Sequence, residues 1–402
     1  MAESARRAGV AIKAIDQFTK GAQKPIGLDE GPIPCVPSGS LHIDYLIGGS
    51  LTADKSASKC PGYPRRRITE IYGPEASGKT TLTLESIVQV QRQGGVAMFL
   101  DFEHALDHAY AKSLGVDFEP SRLILYQPDD MEQGLDMMRI GITVGVDLII
   151  VDSVAAMVPA ADMEKNFRDP DKIGHRALKL ASALPKIVKM LKPSSRNGKG
   201  SAIILINQTR ATIGGQAGSP LGTSGGHALK FFAYLRLQTS CIRTERIQIK
   251  DPVTKREKKI PFGSHTQVKV IKSKVDAKQG QTADIFIRYG KGIDDYYTVI
   301  EAAVAHRLVK KSGAFYEFEG QKFQGRDKLR AYLVSNAEIL KRLEDAVLKA
   351  VRSQAEDAPE EEEIDDVEAV LTSAFGTGED EETEEVVTEE VEIEVDPAEA
   401  EA

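Results

Sequence analysis

The stretch GPEASGKTT, residues 73–81, constrains the fold more than any other part of the chain. It holds Gly73, four intervening residues, then Gly78, Lys79 and Thr80. RITEIYG, which ends on Gly73, reads as a strand, and KTTLTLESIVQVQRQ, which begins at Lys79, reads as a helix. A glycine-rich turn between strand and helix lets backbone N–H groups wrap a phosphate, and the helix N-terminus adds partial positive charge. Lys79 offers a point charge to the outer phosphates, and Thr80 offers a hydroxyl to Mg²⁺. The expected phosphate-binding set is Gly73, Pro74, Glu75, Ala76, Ser77, Gly78, Lys79, Thr80 and Thr81. A chance glycine-rich turn is the competing reading, and the strand-to-helix context argues against it.

The same alternation continues downstream. VAMFLDFE, LILYQ, DLIIVDSVAA and SAIILINQ read as apolar strands. LDHAYAKSLG, MEQGLDMMRIGIT and RALKLASALPKIVKML read as the helices between them. Apolar strands separated by helices predict an α/β fold, a mostly parallel central sheet flanked by helices. Three later runs, AYLRLQTSCIRTERIQI, HTQVKVIKSK and ADIFIRYG, read as antiparallel strands extending that sheet. Ala5, Ile12, Ile15 and Phe18 give residues 4–20 one apolar helical face. Residues 51–66, LTADKSASKCPGYPRR, read as a surface loop. The expected organisation is an N-terminal helical element at 1–31, a core at 32–294, a small α/β C-terminal domain at 295–352 and a disordered acidic tail at 353–402.

Two acids extend the phosphate site. Asp152 closes the apolar strand LIIVD, and an acid at the carboxyl end of a parallel strand faces the ligand crevice, as a Mg²⁺ ligand would. Glu103 follows another buried strand. It reads either as the base that orients an attacking water or as an acid favoured at a helix N-terminus.

Charge and composition bound the partners. The net charge of −8 hides an asymmetry: all 52 Lys and Arg lie in residues 1–352 with 38 of the 60 acids, which gives that part +14. Such a body attracts a polyanion, and the tail can compete for it. No apolar run approaches the ~20 residues of a membrane span. The N-terminus does not read as a secretory signal. Cys35, Cys60 and Cys241 are far apart in sequence, match no zinc spacing and suggest no disulfide framework. A cytoplasmic location is expected.

Taken in order, GPEASGKTTLTLE, FLDFEHALDHAYAKSLGVD, VDSVAAMVP, INQTR, GGHALKFFAYLRL and VKVIKSK resemble the bacterial RecA recombinase family across most of residues 1–352. The resemblance implies a RecA-like P-loop ATPase core that takes ATP and Mg²⁺. It implies that Glu103 is the catalytic glutamate, that Asp107 and Tyr110 contact the adenine, and that Gln208 senses the γ-phosphate. Residues 160–174, followed by Arg176, correspond to the family's first DNA loop. Residues 209–226 correspond to the second, with Arg210, Gly214, Gly215, Gly225 and Gly226. Lys272 and Lys274 match a pair that reaches a neighbouring subunit's γ-phosphate, and Lys230 and Phe231 match a subunit-interface position. Lys311, Arg326, Lys328 and Arg330 fall near a gateway for duplex DNA.

The chain departs from the family pattern at residues 51–66, in the long basic stretch 243–267, and at Ala217 and Leu221 of the second loop. The implied function is ATP-dependent strand exchange in recombinational repair. Its partners are single-stranded DNA, double-stranded DNA, further copies of the chain in a helical filament, and an SOS-type repressor whose self-cleavage the filament stimulates. The rivals are a ring-shaped DNA motor and a metabolic P-loop kinase. The lysines of VKVIKSK, where such a motor uses arginine, oppose the first. The basic body opposes the second.

Overall fold

LIIVD has no polar residue before Asp152, so a strand built from it must be covered on both faces. The computed structural model describes residues 33–48, 60–163, 174–191, 200–210, 222–223, 226–250, 257–275 and 279–356. Strands β1 (Cys35–Val36) and β2 (Tyr63–Pro64) pair antiparallel, with helix α1 (Leu41–Gly48) between them in sequence. Then come β3 (Ile68–Gly73), α2 (Lys79–Arg92), β4 (Ala97–Asp101), α3 (His108–Leu114), β5 (Leu123–Tyr126) and α4 (Met131–Val144). They are followed by β6 (Leu148–Asp152), α5 (Ala160–Met163), α6 (His175–Met190), β7 (Ala202–Arg210), β8 (Gly222–Thr223) and α7 (Gly226–Phe232). The long strands β9 (Leu235–Lys250) and β10 (Glu257–Ser273) precede β11 (Thr282–Arg288) and β12 (Gly292–Ile293). The C-terminal part comprises α8 (Asp295–Ala305), β13 (Lys310–Ser312), β14 (Phe315–Phe318), β15 (Gln321–Gln324), α9 (Arg326–Ser335) and α10 (Ala337–Glu356).

The main sheet runs β12-β11-β10-β9-β3-β7-β6-β4-β5, with β8 paired to β7. Its β9-β3-β7-β6-β4-β5 portion is parallel. The expectation that β9 is antiparallel is therefore corrected. β9 is fed by α7 and returns parallel to β3; β10, β11 and β12 alternate in direction, and the short β8 pairs antiparallel with β7. Alternate residues divide the core. Ile150, Ile204 and Ile71 pack with α1, α2 and α3 on one face. Ile149, Val151, Ile203 and Leu205 pack with α4, α6 and α7 on the other. A third cluster, including Val299, Val309, Tyr316, Leu329 and Leu343, forms the core of the C-terminal part.

Asp107, Asp130 and Asp294 each accept the backbone N–H three residues on, so α3, α4 and α8 begin with side-chain caps. The surface-loop expectation for residues 51–66 fails over its described end. Cys60, Tyr63 and Arg65 are buried, because the Tyr63 ring enters the core and Arg65 pairs with Asp147 at 2.8 Å. Residues 4–20, 51–59, 164–173, 211–221, 251–256 and 357–402 lie outside the described residues. The readings made on them, including those on Gly214, Gly215, Ala217 and Leu221 and on Gly225, do too. Among the described residues no helix is long and apolar enough to cross a membrane.

Candidate functional site

Parallel register brings four strand ends to one edge. Gly73 of β3 is level with Gln208 of β7, and Asp101 of β4 is level with Asp152 of β6. The phosphate-loop candidates connect β3 to α2 above that edge. Gly73 is needed because a Cβ there would lie 2.2 Å from the Thr239 carbonyl oxygen of β9. Gly78 has φ +83°, and its added Cβ would meet Ile287 Cδ1 at 2.4 Å. Ser77 Oγ donates to the Pro74 carbonyl at 2.7 Å and also contacts Thr239 Oγ1, which fixes the loop to β9. Pro74, Glu75 and Ala76 are exposed at the loop's crest.

Lys79 is buried, and its Nζ donates to the Gly73 and Pro74 carbonyls at 3.0 and 2.6 Å. Burial pulls its pKa down, while Asp152, Glu103 and Glu75 oppose the shift. Thr80 Oγ1 donates to Asp152 Oδ2 at 3.0 Å. A hydroxyl and a carboxylate side by side form the oxygen donor set that a hard cation such as Mg²⁺ takes alongside water and phosphate. Burial, then Glu103, raise the Asp152 carboxyl to about 7.

Glu103 stands two residues beyond Asp101. Its Oε1 accepts from Gln208 Nε2 at 3.0 Å and from Ser153 Oγ. Three strands thus meet in one hydrogen-bonded group: Glu103 after β4, Ser153 after β6 and Gln208 within β7.

On the other side of the loop a cleft of about 370 Å³ is lined by Ala76, Ser77, Gly78, Lys79, Thr80, Thr81, Tyr110, Ser264, Ile287, Tyr289 and Gly290. The Tyr110 hydroxyl contacts Thr81 Oγ1 at 2.9 Å, and burial raises its pKa. Asp107 does not line this cleft; its Oδ1 caps α3 by accepting from Tyr110 N at 2.9 Å. Tyr110 faces the cleft, while Asp107 positions the helix that carries Tyr110. Ser264, Ile287, Tyr289 and Gly290 were not foreseen.

A second unforeseen group lies beneath the loop. Glu70 of β3 is fully buried; it accepts from Asn207 Nδ2 of β7 at 3.0 Å and pairs with Arg236 of β9. The Arg236 guanidinium also sits over the Tyr72 ring at 4.8 Å. This network ties the three central strands in register directly below Gly73.

Lys272 and Lys274 lie elsewhere. β10 runs against β9 and β3, so its Ser273 end is level with Leu235 and hence with Thr69 at the start of β3. Gly73 is four residues further along β3, about 13 Å at ~3.3 Å per residue. Lys272 Nζ donates to the Lys230 and Phe231 carbonyls at the end of α7, at 2.7 and 3.0 Å. Lys274 is exposed, and Phe231 is 71% exposed.

Of the DNA-loop residues, Arg176 lies in the first turn of α6, Arg210 ends β7, and Gly226 starts α7 with φ +70°. Arg326 and Arg330, read as gateway cations, hold the C-terminal part together instead. Arg326 pairs with Glu301 at 3.0 Å and stacks on Tyr297, and Arg330 forks onto Asp294 at 3.1 and 3.0 Å. Lys311 and Lys328 are exposed.

Comparison with known proteins agrees with this arrangement. The RecA N-terminal domain family matches residues 8–294, and the RecA C-terminal domain family matches residues 298–352. The chain is similar to Protein RecA of Methylococcus capsulatus, with 40% identity over 90% of the chain and 97% of the relative. It is also similar to Protein RecA of Macrococcus caseolyticus, 38% identical over 89% and 98%, and to that of Bacillus subtilis, 37% identical over 89% and 97%. A phosphate loop over a mostly parallel sheet, an acid after β4 touching a glutamine of β7, and matches spanning nearly the whole length lead to one conclusion: the chain belongs to the RecA family of recombinases, which are DNA-dependent ATPases.

Proposed function

We propose that the chain couples ATP hydrolysis between adjacent subunits to its grip on single-stranded DNA, and so drives strand exchange within a helical filament. The observation that carries this reading is the Gln208–Glu103 hydrogen bond. Gln208 lies two residues before the end of β7, where the second DNA loop begins, so a change in that loop acts directly on the group beside the phosphates.

The loop residues 73–81 and Lys79 hold the phosphates, and Tyr110 with Ile287, Tyr289 and Gly290 encloses the base. Thr80 and Asp152 would hold Mg²⁺, which would neutralise phosphate charge. Glu103 orients the attacking water and takes its proton, and Gln208 keeps the carboxylate aimed. Lys272 and Lys274 stand away from their own loop, so they serve a neighbour's γ-phosphate. Lys230 and the exposed Phe231 lie in the same interface. Arg176, Arg210 and the glycine-rich backbone, including Gly214, Gly215, Gly225 and Gly226, grip the DNA backbone, and base pairing itself reads homology. Duplex DNA is the second substrate, and an SOS-type repressor is a further partner whose self-cleavage the filament stimulates. The cytoplasm supplies both nucleotide and DNA.

The test is ATPase activity of the wild-type chain and of Gln208→Ala, each with and without single-stranded DNA. The wild-type chain is stimulated by DNA. Gln208→Ala binds DNA but loses most of the stimulation. Equal stimulation in both proteins would overturn the coupling. Electron microscopy distinguishes open filaments from the closed rings of a ring-shaped motor.

A further inference from the structure

We propose that Cys35 and Cys60 form a reversible dithiol–disulfide site, closed by a low-molecular-weight disulfide of the glutathione class. They are 25 positions apart in sequence, and the fold brings them together. β1 sets Cys35 opposite Pro64 and Val36 opposite Tyr63. The turn that feeds β2 folds Cys60 back onto the same spot. Cys35 Sγ donates to the Pro61 carbonyl at 3.2 Å and Cys60 Sγ donates to the Gly62 carbonyl at 3.4 Å, so the two thiols sit on adjacent carbonyls of one turn. Gly62 permits this approach: its φ is +131°, and a Cβ there would lie 2.3 Å from the Val36 carbonyl oxygen.

The two thiols have different access. Cys35 is half-buried and within reach of a small reagent, whereas Cys60 is fully buried. The neighbouring Cys60 side chain is the main influence holding the Cys35 thiol below its usual range; Arg65 helps, and burial and Asp44 oppose. An accessible, acidified thiol beside a buried one is the arrangement of an attacking and a resolving cysteine.

The chemistry balances as an exchange. The Cys35 thiolate attacks one sulfur of the small disulfide, whose S–S bond breaks, and the first small thiolate leaves with the Cys35 proton. Cys60 then attacks Cys35 Sγ in the mixed disulfide and expels the second small thiolate, which takes the Cys60 proton. Two protein thiols are oxidised and one small disulfide is reduced to two thiols. In a reducing compartment such a bond is transient, as a redox-sensing pair requires.

The bond would close the loop that carries α1. Leu41 N at the start of α1 donates to Asp295 Oδ2, and Ser86 of α2 donates to the Ser38 carbonyl. The redox state would thus set the freedom of a segment resting on the phosphate-loop helix.

The test treats the full-length protein with oxidised glutathione, then measures intact mass, free thiols and the linked peptides. The expected product is lighter than the reduced chain by about 2 Da, with no dimer. Free thiols fall from three per chain to one, which maps to Cys241. Dithiothreitol restores all three. Cys60→Ala stops at a glutathione adduct on Cys35, and Cys241→Ser still closes the bond. The proposal is overturned if the wild-type chain stalls at an adduct, or if Cys241 reacts while Cys35 and Cys60 stay free. Both readouts come from the wild-type chain and stand even where Cys60→Ala fails to fold.

Discussion

Replacing Glu103 with glutamine separates holding the nucleotide from cleaving it. Glu103 Oε1 accepts hydrogen bonds from Gln208 Nε2 and Ser153 Oγ. The glutamine side chain has the same length and keeps one oxygen to accept from those donors, so the local geometry survives. The ability to take a proton does not. Loss of a general base costs roughly 10²–10⁴ in rate. At about 1.4 kcal/mol per tenfold this is roughly 3–6 kcal/mol of barrier. Nucleotide affinity moves the other way or stays level, because removing a negative charge beside the phosphate loop reduces repulsion. The expected result is a protein that binds ATP within about twofold of wild type or tighter, assembles on DNA and turns over at least ~100-fold more slowly. Steady-state ATPase activity with saturating single-stranded DNA gives the rate, and fluorescent-nucleotide titration gives the affinity. Turnover within about threefold of wild type would refute the assignment and return Glu103 to the role of a helix-terminal acid.

Three further perturbations test other parts of the site. Arg236→Leu leaves the Glu70 carboxylate buried without its partner and costs about 3–5 kcal/mol in denaturant unfolding; a loss under ~1 kcal/mol would mean the triad does not hold the strands. Asp44 is raised to about 7, chiefly by burial and further by Asp295, against the Ser38 N hydrogen bond. Its folded pKa exceeds the unfolded value, so its contribution favours the folded state at low pH and is lost as pH rises from about 4 to about 7, by at most ~1.4 kcal/mol per pH unit. Asp44→Asn therefore flattens the fall in thermal midpoint between pH 5 and 7, and an unchanged slope would exclude Asp44 as a source. For the shared site, Lys274→Ala and Lys79→Ala are each expected to lose DNA-dependent ATPase activity. Mixtures should regain part of it at interfaces that join an intact loop to an intact lysine, and no gain at any ratio would argue against a site built by two subunits.

Chemistry that depends on neighbours in sequence was legible before the structure. The spacing of the phosphate loop is local, and so is the positive φ of Gly78, whereas the close approaches of Thr239 to Gly73 and of Ile287 to Gly78 come from distant strands. The strand-helix alternation follows from periodicity, which every segment carries within itself. Chemistry that depends on distant segments was not legible. Ser264, Ile287, Tyr289 and Gly290 reach the cleft from β10, from β11 and from just beyond β11, roughly two hundred residues after the loop, and nothing near them marks a nucleotide. Glu70 looks like an ordinary polar residue in a strand; its meaning lies in Asn207 and Arg236, 137 and 166 positions away. The direction of β9 was misread because the run itself is indifferent to direction; the short helix α7 before it decides.

Positive charge was the least reliable signal, and the C-terminal part shows why. Lys311, Arg326, Lys328 and Arg330 carry the same formal charge in the sequence and do different work in the fold. Arg330 forks onto Asp294, which also caps α8 through Tyr297 N, and Arg288 approaches the same carboxylate at 3.6 Å. The Arg326 guanidinium sits over the Tyr297 ring at 3.8 Å, and that ring stacks on Phe286 of β11. These two arginines join the C-terminal helices to the edge of the main sheet, so neutralising them weakens the fold before it weakens any DNA contact. Lys311 and Lys328 remain exposed and are the residues through which duplex capture is to be probed. Paired substitutions separate the two roles. Lys311→Ala with Lys328→Ala is expected to reduce duplex binding at unchanged thermal midpoint and unchanged single-strand affinity. Arg326→Ala with Arg330→Ala is expected to lower the midpoint first. Equal losses for both forms of DNA from the lysine pair would mean that the surface attracts polyanions without selecting the duplex.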